Sequence, residues 1–277
     1  MRLEELAGQT AVVTGAGSGI GESVARRAAA LGMNVVLADV AMDRIVAIEA
    51  QLRADGHRAL AVPTDVSDAD QVEALANAAY AEFGSVTILH NNAGLESLGY
   101  TWDVPADEWQ RVLAVNVNGM HHGIRSFVPR MGADPRRSHI VNTCSVGGIA
   151  ITPRMTAYAA SKHAVQALTE CLYLECAEAY PQIAVSVFSP GHVATRIFED
   201  VSVRAEANDD VAFWRRSIQD TGITPDAAAE VLFNGLQRGE FWILTHREAF
   251  ERLATKRAKV LTRQLRPDSV FEEAGRN

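Results

Sequence analysis

Tyr158 and Lys162 stand four residues apart in the run Tyr158-Ala159-Ala160-Ser161-Lys162, and Ser145 precedes the tyrosine by 13 residues. On a helix, a spacing of four puts the phenol and the ammonium on one face. A phenol with its ordinary pKa of about 10 is a poor base at neutral pH, and a neighbouring ammonium favours the phenolate. The pair therefore suits proton transfer to or from a substrate oxygen, with the Ser145 hydroxyl donating a hydrogen bond to the same atom. Near the start of the chain, Thr14-Gly15-Ala16-Gly17-Ser18-Gly19-Ile20-Gly21 joins an apolar run to a helical pattern. Glycines at such a junction let backbone N–H groups approach a pyrophosphate at a helix N-terminus. Asp39 ends the next apolar run 18 residues after Gly21. A carboxylate there can accept from the hydroxyls of an adenosine ribose. Proton-transferring groups beside a dinucleotide loop point to hydride transfer by a nicotinamide, whose cationic oxidised ring also favours the phenolate.

Each feature has a plainer reading. The glycine loop alone fits an ordinary strand-to-helix turn, Asp39 a helix cap, and Tyr158 with Lys162 a surface pair. Their occurrence together and in order favours the chemical reading. Cys144, beside Ser145, has no base near it in sequence and reads as a core thiol rather than a nucleophile. The eight histidines include no HExxH, and the adjacent His121 and His122 would point about 100° apart on a helix, so no metal site is expected. His192, just after a Pro-Gly turn, is the histidine nearest the expected site.

The nucleotide is expected to be NAD. A 2′-phosphate would face the Asp39 carboxylate, and sites that accept one usually answer it with Arg or Lys. Here Ser18 sits between Gly17 and Gly19, Val40, Ala41 and Met42 follow Asp39, and the first cation, Arg44, is already inside the next helix.

Positioning these groups needs strands ending at one edge of a sheet and helices starting there. Apolar runs at 10–14, 34–39, 58–63, 86–91, 139–145, 183–189 and 241–245 read as strands. Helical patterns at 19–32, 43–54, 67–83, 106–131 and 155–180 separate them, with Ser67 capping the third, and a further basic helix spans 246–266. Strand–helix alternation of this length argues right-handed crossovers and a parallel sheet covered on both faces. The continuous apolar character of the strands agrees. The expectation is one doubly wound α/β domain of Rossmann type over residues 1–277, strand order 3-2-1-4-5-6-7. The alternation stops between 192 and 222, which reads as a substrate lid carrying exposed Phe213 and Trp214.

Composition narrows the class further. With 277 residues, 48% hydrophobic and 22% charged, the chain is globular rather than disordered or coiled coil. Lys plus Arg is 26 against 34 Asp plus Glu, a net charge of −8, which disfavours general binding to nucleic-acid backbones. The 246–266 segment holds seven Lys/Arg against two Glu, and reads as a solvated face or lid rather than a membrane or nucleic-acid contact. Three cysteines make no disulfide framework, no apolar run reaches the ~18 residues of a membrane span, and the acidic start is unlike a signal peptide. A cytoplasmic location is expected.

The TGxxxGxG pattern from Thr14 to Gly21 resembles the short-chain dehydrogenase/reductase family, and further motifs follow in that family's order. Asn91-Asn92-Ala93-Gly94 closes the fourth strand, Asp65-Val66 follows the third, and Asn116 lies in Val115-Asn116-Val117-Asn118-Gly119. Ser145, Tyr158 and Lys162 match the family's serine, tyrosine and lysine. Pro190-Gly191 with Val193 and Thr195 resembles the loop that holds the nicotinamide carboxamide. The resemblance runs continuously from about residue 8 to 195.

It implies cofactor contacts from Gly15, Gly17, Ser18, Gly19, Ile20, Gly21, Asp39, Asp65, Val66, Asn92, Ala93, Gly94, Tyr158, Lys162, Pro190, Gly191, Val193 and Thr195. It implies catalysis by Ser145, Tyr158 and Lys162, with Asn116 holding a water between Lys162 and solvent. The expected activity is NAD-dependent hydride transfer between a secondary alcohol, or the matching ketone, and nicotinamide. The alternatives are an enoyl, imine or quinone reductase on the same site, and a regulator that senses dinucleotide without turnover. A homo-oligomer, tetramer or dimer, is implied by resemblance. Substrate contacts are expected from residues 95–102, 146–156 and 192–222. Trp102, Ile149, Ile151, Met155, Phe198, Phe213 and Trp214 there favour a bulky hydrophobic or aromatic substrate.

Overall fold

Alternate residues of the inner strands face opposite sides, and both sides are apolar. Along β1 (Thr10–Thr14), Ala11 and Val13 enter one core layer and Val12 the other; along β2 (Asn34–Asp39), Val35 and Leu37 face one layer, Val36 and Ala38 the other. Such strands need helices on both faces. The structure is a computed structural model that describes residues 2–198, 202–203 and 208–267.

The remaining strands are β3 (Ala59–Pro63), β4 (Ile88–Asn91), β5 (Ser97–Leu98), β6 (Ser138–Thr143), β7 (Ile183–Ser189), β8 (Ser202–Val203) and β9 (Trp242–Leu244). Seven of the nine strands among the described residues form one parallel sheet in the order β3-β2-β1-β4-β6-β7-β9. This is the expected 3-2-1-4-5-6-7 once β5 and β8, which pair only with each other, are left out of the count.

On one face lie α1 (Gly19–Ala30), α2 (Met42–Ala54) and α8 (Pro225–Arg238), contributing Val24, Ile45, Ile48, Leu232 and Phe233 to the core. On the other lie α3 (Ala69–Phe83), α5 (Gly119–Ala133) and α6 (Thr156–Ala179), with Leu75, Phe127, Met131 and Leu172. The other helices are α4 (Ala106–Leu113), α7 (Asn208–Thr221) and α9 (Arg247–Thr262). None of the described helices is long and apolar enough to cross a membrane.

Three local expectations need correction. The cap of α3 is Asp68, whose side chain accepts from Asp70 N and Gln71 N; Ser67 is occupied with the Asp65 carboxylate. The stretch expected as one helix over 106–131 contains a π-helical turn, Ala114–Asn118, between α4 and α5. Such a turn widens the helix by one residue and commonly marks a functional position; here it carries Asn116. In the 192–222 excursion, α7 is regular and Trp214 is buried rather than exposed, stacked on Phe198 with ring centroids 6.3 Å apart, while Phe213 stays exposed. Residues 199–201 and 204–207 of that excursion lie outside the described residues.

Candidate active site

Strand order reverses between β1 and β4, and the crevice beyond their C-terminal ends is where a doubly wound sheet accepts a ligand. The two loops leaving these strands are tied together. Thr14 Oγ1 accepts from Asn92 N at 2.9 Å and Ala93 N at 3.1 Å, and Asn92 Nδ2 donates to Thr14 O at 3.0 Å. Space is closed around the turn: a Cβ on Gly21 would lie 2.1 Å from Gly15 O. Gly15 has φ +66°, a left-handed backbone that favours glycine.

Asp39 is fixed against this loop, its Oδ2 accepting from Gly17 N at 2.8 Å and its Oδ1 from Ala41 N at 2.9 Å. A Cβ on Gly17 would come within 2.9 Å of Asp39 Cγ.

From here a groove of about 610 Å³ runs to Tyr158 and Lys162. Of the residues expected at the cofactor, Gly15, Ser18, Gly19, Ile20, Asp39, Asp65, Val66, Asn92, Ala93, Gly94, Pro190 and Thr195 line it. Gly17 and Gly21 shape it without lining it. Gly191 and Val193 line an adjoining cavity instead. Arg44 also lines the groove, so the cation set aside from sequence spacing does face the same space as Asp39.

At the groove's inner end, Ser145 caps a short 3-10 turn (Val146–Gly148) and its Oγ accepts from Gly147 N at 3.1 Å. Tyr158 and Lys162 come from the first turns of α6, on the shared face their spacing demands. Lys162 is buried; its Nζ donates to Thr143 O at 3.0 Å and lies 5.5 Å from the centroid of the Tyr158 ring. Burial pulls the Lys162 ammonium below its ordinary pKa. Burial and the nearby Glu96 carboxyl push the Tyr158 phenol up, while the Ser145 hydroxyl pulls it down. The net shift is upward, opposite to the lowering expected from the lysine.

Asn116 reaches the same region from the π-turn, but its amide is engaged by protein: Oδ1 accepts from Leu95 N at 2.7 Å, and Nδ2 donates to Leu95 O and Ser161 Oγ, both at 2.9 Å. The side chain pins the β4 loop to α6.

Beyond Tyr158 opens a largely apolar cavity of about 120 Å³, lined by Ser145, Val146, Ala150, Met155, Val193, Ile197, Phe198, Trp214 and Ile218 among others. His192 is at its edge, Nδ1 lying 2.9 Å from Thr221 Oγ1, with burial and His246 holding its pKa below the ordinary value. Trp102 does not line this cavity and is exposed, stacked on Tyr100. Glu96 lines both the cavity and the groove, and no sequence motif singles it out. Its one signal is a carboxylate two residues beyond Asn92-Ala93-Gly94, in a stretch the topology sends into the crevice. Among the described residues no group of His, Cys, Asp and Glu could hold a metal ion.

Comparison with known proteins adds four findings to this geometry. Residues 9–206 match the family model described as short chain dehydrogenase. A 1-deoxy-11-beta-hydroxypentalenate dehydrogenase from Streptomyces avermitilis is 35% identical over 246 residues, covering 88% of this chain and 87% of that protein. Among solved structures, a short chain dehydrogenase/reductase from Burkholderia phymatum in complex with NAD superposes with a TM-score of 0.91 at 36% identity, over 96% of this chain and 98% of that one. A metagenomic short-chain oxidoreductase in complex with NADP gives 0.68 at 32% identity, over 83% and 91%.

Proposed function

The chain belongs to the short-chain dehydrogenase/reductase family of oxidoreductases, and on that premise we propose that it transfers a hydride between NAD and a bulky, largely apolar secondary alcohol or the matching ketone. The observation that carries this reading is the junction at Tyr158. A groove with Asp39 at its far end meets an apolar cavity at the one place where Ser145, Tyr158 and Lys162 converge.

In the groove, Asp39 would hold the ribose of NAD, the glycine loop its pyrophosphate and the 190–195 loop its nicotinamide, and the bound cofactor would supply the hydride acceptor. Ser145 and Tyr158 hold the substrate oxygen, and Tyr158 takes its proton during oxidation. The cationic nicotinamide would oppose the upward push of burial on the phenol. Lys162 holds positive charge close to the Tyr158 ring, and Asn116 acts as a positioning residue through Leu95 and Ser161. NAD is favoured over NADP because two backbone N–H groups fix the Asp39 carboxylate at the groove, where it would repel a 2′-phosphate, although Arg44 lines the same groove. The apolar cavity supports a bulky substrate, as does a relative named as dehydrogenase of a hydroxylated compound. We also take the described parts of the 192–222 excursion, which supply Val193, Phe198, Trp214 and Ile218, as the lid of this cavity, and the chain as a cytoplasmic homo-oligomer.

Tyr158→Phe removes only the proton-transferring hydroxyl. Turnover should fall by about 10²–10⁴, with NAD affinity within a few-fold of wild type by fluorescence titration. Wild-type turnover in that variant would end this reading.

A further inference from the structure

Glu96 is 3% exposed and lies where the groove meets the apolar cavity. Its Oε1 accepts from Ser97 N at 3.0 Å, and no second hydrogen bond or ion pair reaches the carboxyl from the described residues. With a single protein donor, the carboxyl keeps hydrogen-bonding capacity toward the cavity and the groove that it lines. Among the described residues Glu96 is the one carboxyl lining the apolar cavity; it lines the groove as well, and it is close enough to couple electrostatically to both Tyr158 and Lys162. It is also held in place. Ser97 and Leu98 pair with β8, Leu98 is buried, and Gly99 N donates to Arg154 O at 2.9 Å.

We propose that Glu96 is a specificity-determining residue whose carboxyl holds a second oxygen of the substrate beside the reacting carbon, so that the preferred substrates are bulky apolar vicinal diols or α-hydroxy ketones. This rests on the reading of the site as a hydride-transfer centre. Reaction at Tyr158 places the reacting oxygen at the groove–cavity junction, and a neighbouring oxygen on the same skeleton falls where Glu96 faces the cavity. Burial pushes the Glu96 carboxyl well above the ordinary carboxylate range. A neutral carboxyl offers one O–H donor and an acceptor, which matches a hydroxyl or a carbonyl. A substrate ammonium would instead want the ionised form. A plain alcohol would leave the carboxyl unsatisfied, and sites built to bind a substrate hydroxyl discriminate strongly against analogues lacking it.

The test compares 1-phenylpropane-1,2-diol with 1-phenylpropan-1-ol. Oxidation with NAD is measured on wild type, Glu96→Leu and Glu96→Gln. Binding to the NAD complex of Tyr158→Phe, with and without each Glu96 change, is followed by tryptophan fluorescence. Wild type should prefer the diol by roughly tenfold or more in kcat/KM and in affinity. Glu96→Leu should erase that preference by raising KM for the diol, with kcat/KM for the mono-alcohol within a few-fold. Glu96→Gln, which keeps shape, donor and acceptor, should retain part of it. Equal treatment of the two compounds by wild type, or a preference that survives Glu96→Leu, overturns the assignment while leaving the hydride-transfer reading intact. If Glu96→Leu does not fold, an undiminished preference in Glu96→Gln together with one absent from wild-type binding decides equally against it. No turnover with either compound, alongside a Glu96-dependent binding preference, would overturn the redox reading and support the Glu96 assignment.

Discussion

Two carboxylates stand at the two ends of one groove, and their surroundings differ in kind. Asp39 sits at the tip of β2, half-buried, taking two backbone N–H donors from Gly17 and Ala41. Glu96 leaves the β4 loop, is almost wholly buried among apolar side chains, and takes a single donor. The first belongs to a region built by backbone, where glycines bring chain within contact of chain. The second belongs to a region built by side chains, where Phe198, Trp214, Met155 and Ile218 make the walls. The same functional group is thereby given opposite tasks, since environment sets what a carboxyl can do. One end can repel a phosphate and greet a ribose; the other can share a proton with a neutral oxygen.

Equal substitutions on the two sides should break the molecule differently. At Gly21 an added Cβ would lie 2.1 Å from Gly15 O and 2.7 Å from Asn92 Nδ2, so backbone would have to move. Gly21→Ala should cost about 1–3 kcal/mol or more in stability and take NAD affinity out of the measurable range. At Gly147 the added Cβ would lie 3.1 Å from Tyr158 Cε1 and 3.5 Å from Ser145 Oγ, contacts that a side chain can relieve by a small shift. Gly147→Ala should leave NAD affinity within a few-fold and lower kcat/KM for alcohols by up to about 10²-fold through misplacement of the phenol. Calorimetry with NAD titration and steady-state kinetics would read both. Matching losses of NAD affinity would mean the two regions are not separately built.

The next effect in size lies at Asp39. Asp39→Ala should move the ratio of kcat/KM for NAD over NADP toward NADP by on the order of a hundred-fold, since it removes like-charge repulsion and leaves Arg44 facing the groove. An unchanged ratio would show that the carboxylate does not choose the nucleotide.

The same division explains what could be read from the sequence. The backbone-built region announces itself locally: apolar runs give the strands, Thr14 to Gly21 gives the turn, and Asp39 follows at a spacing fixed by one helix and one strand. Tyr158 and Lys162 are legible because one helical turn separates them. Features that depend on a distant partner were not legible. Trp214 reads as exposed until Phe198 is found stacked on it. The π-turn at Asn116 becomes intelligible when its amide is seen holding both Leu95 and Ser161. Asp68 wins the α3 cap because Ser67 is drawn to Asp65. Glu96 is invisible because β5 has two residues and a partner about a hundred positions away.

The smallest effect is on stability against pH, and its sign separates the two kinds of burial. In the sheet, His90 and His139 are held neutral by burial, their pKa values pushed down to about 3 from 6.5. As pH falls from 6.5 toward 3, the unfolded chain takes up protons that the folded chain refuses, so acid destabilises the fold. Glu96 acts on the other side. Its folded pKa is raised above 4.5 by burial, so as pH rises from 4.5 the unfolded chain releases a proton that the folded chain keeps. Its contribution is therefore fully present below 4.5 and is lost as pH climbs through the raised value. Glu96→Gln removes this loss and leaves the histidines alone. The melting temperature of Glu96→Gln should rise relative to wild type as pH increases above 4.5, and the two curves should run parallel on the acid side. A difference that stays constant across the range would mean that Glu96 is ionised in the folded chain. It would then face a substrate as an acceptor only, and its match would narrow from a hydroxyl or a carbonyl to a hydroxyl.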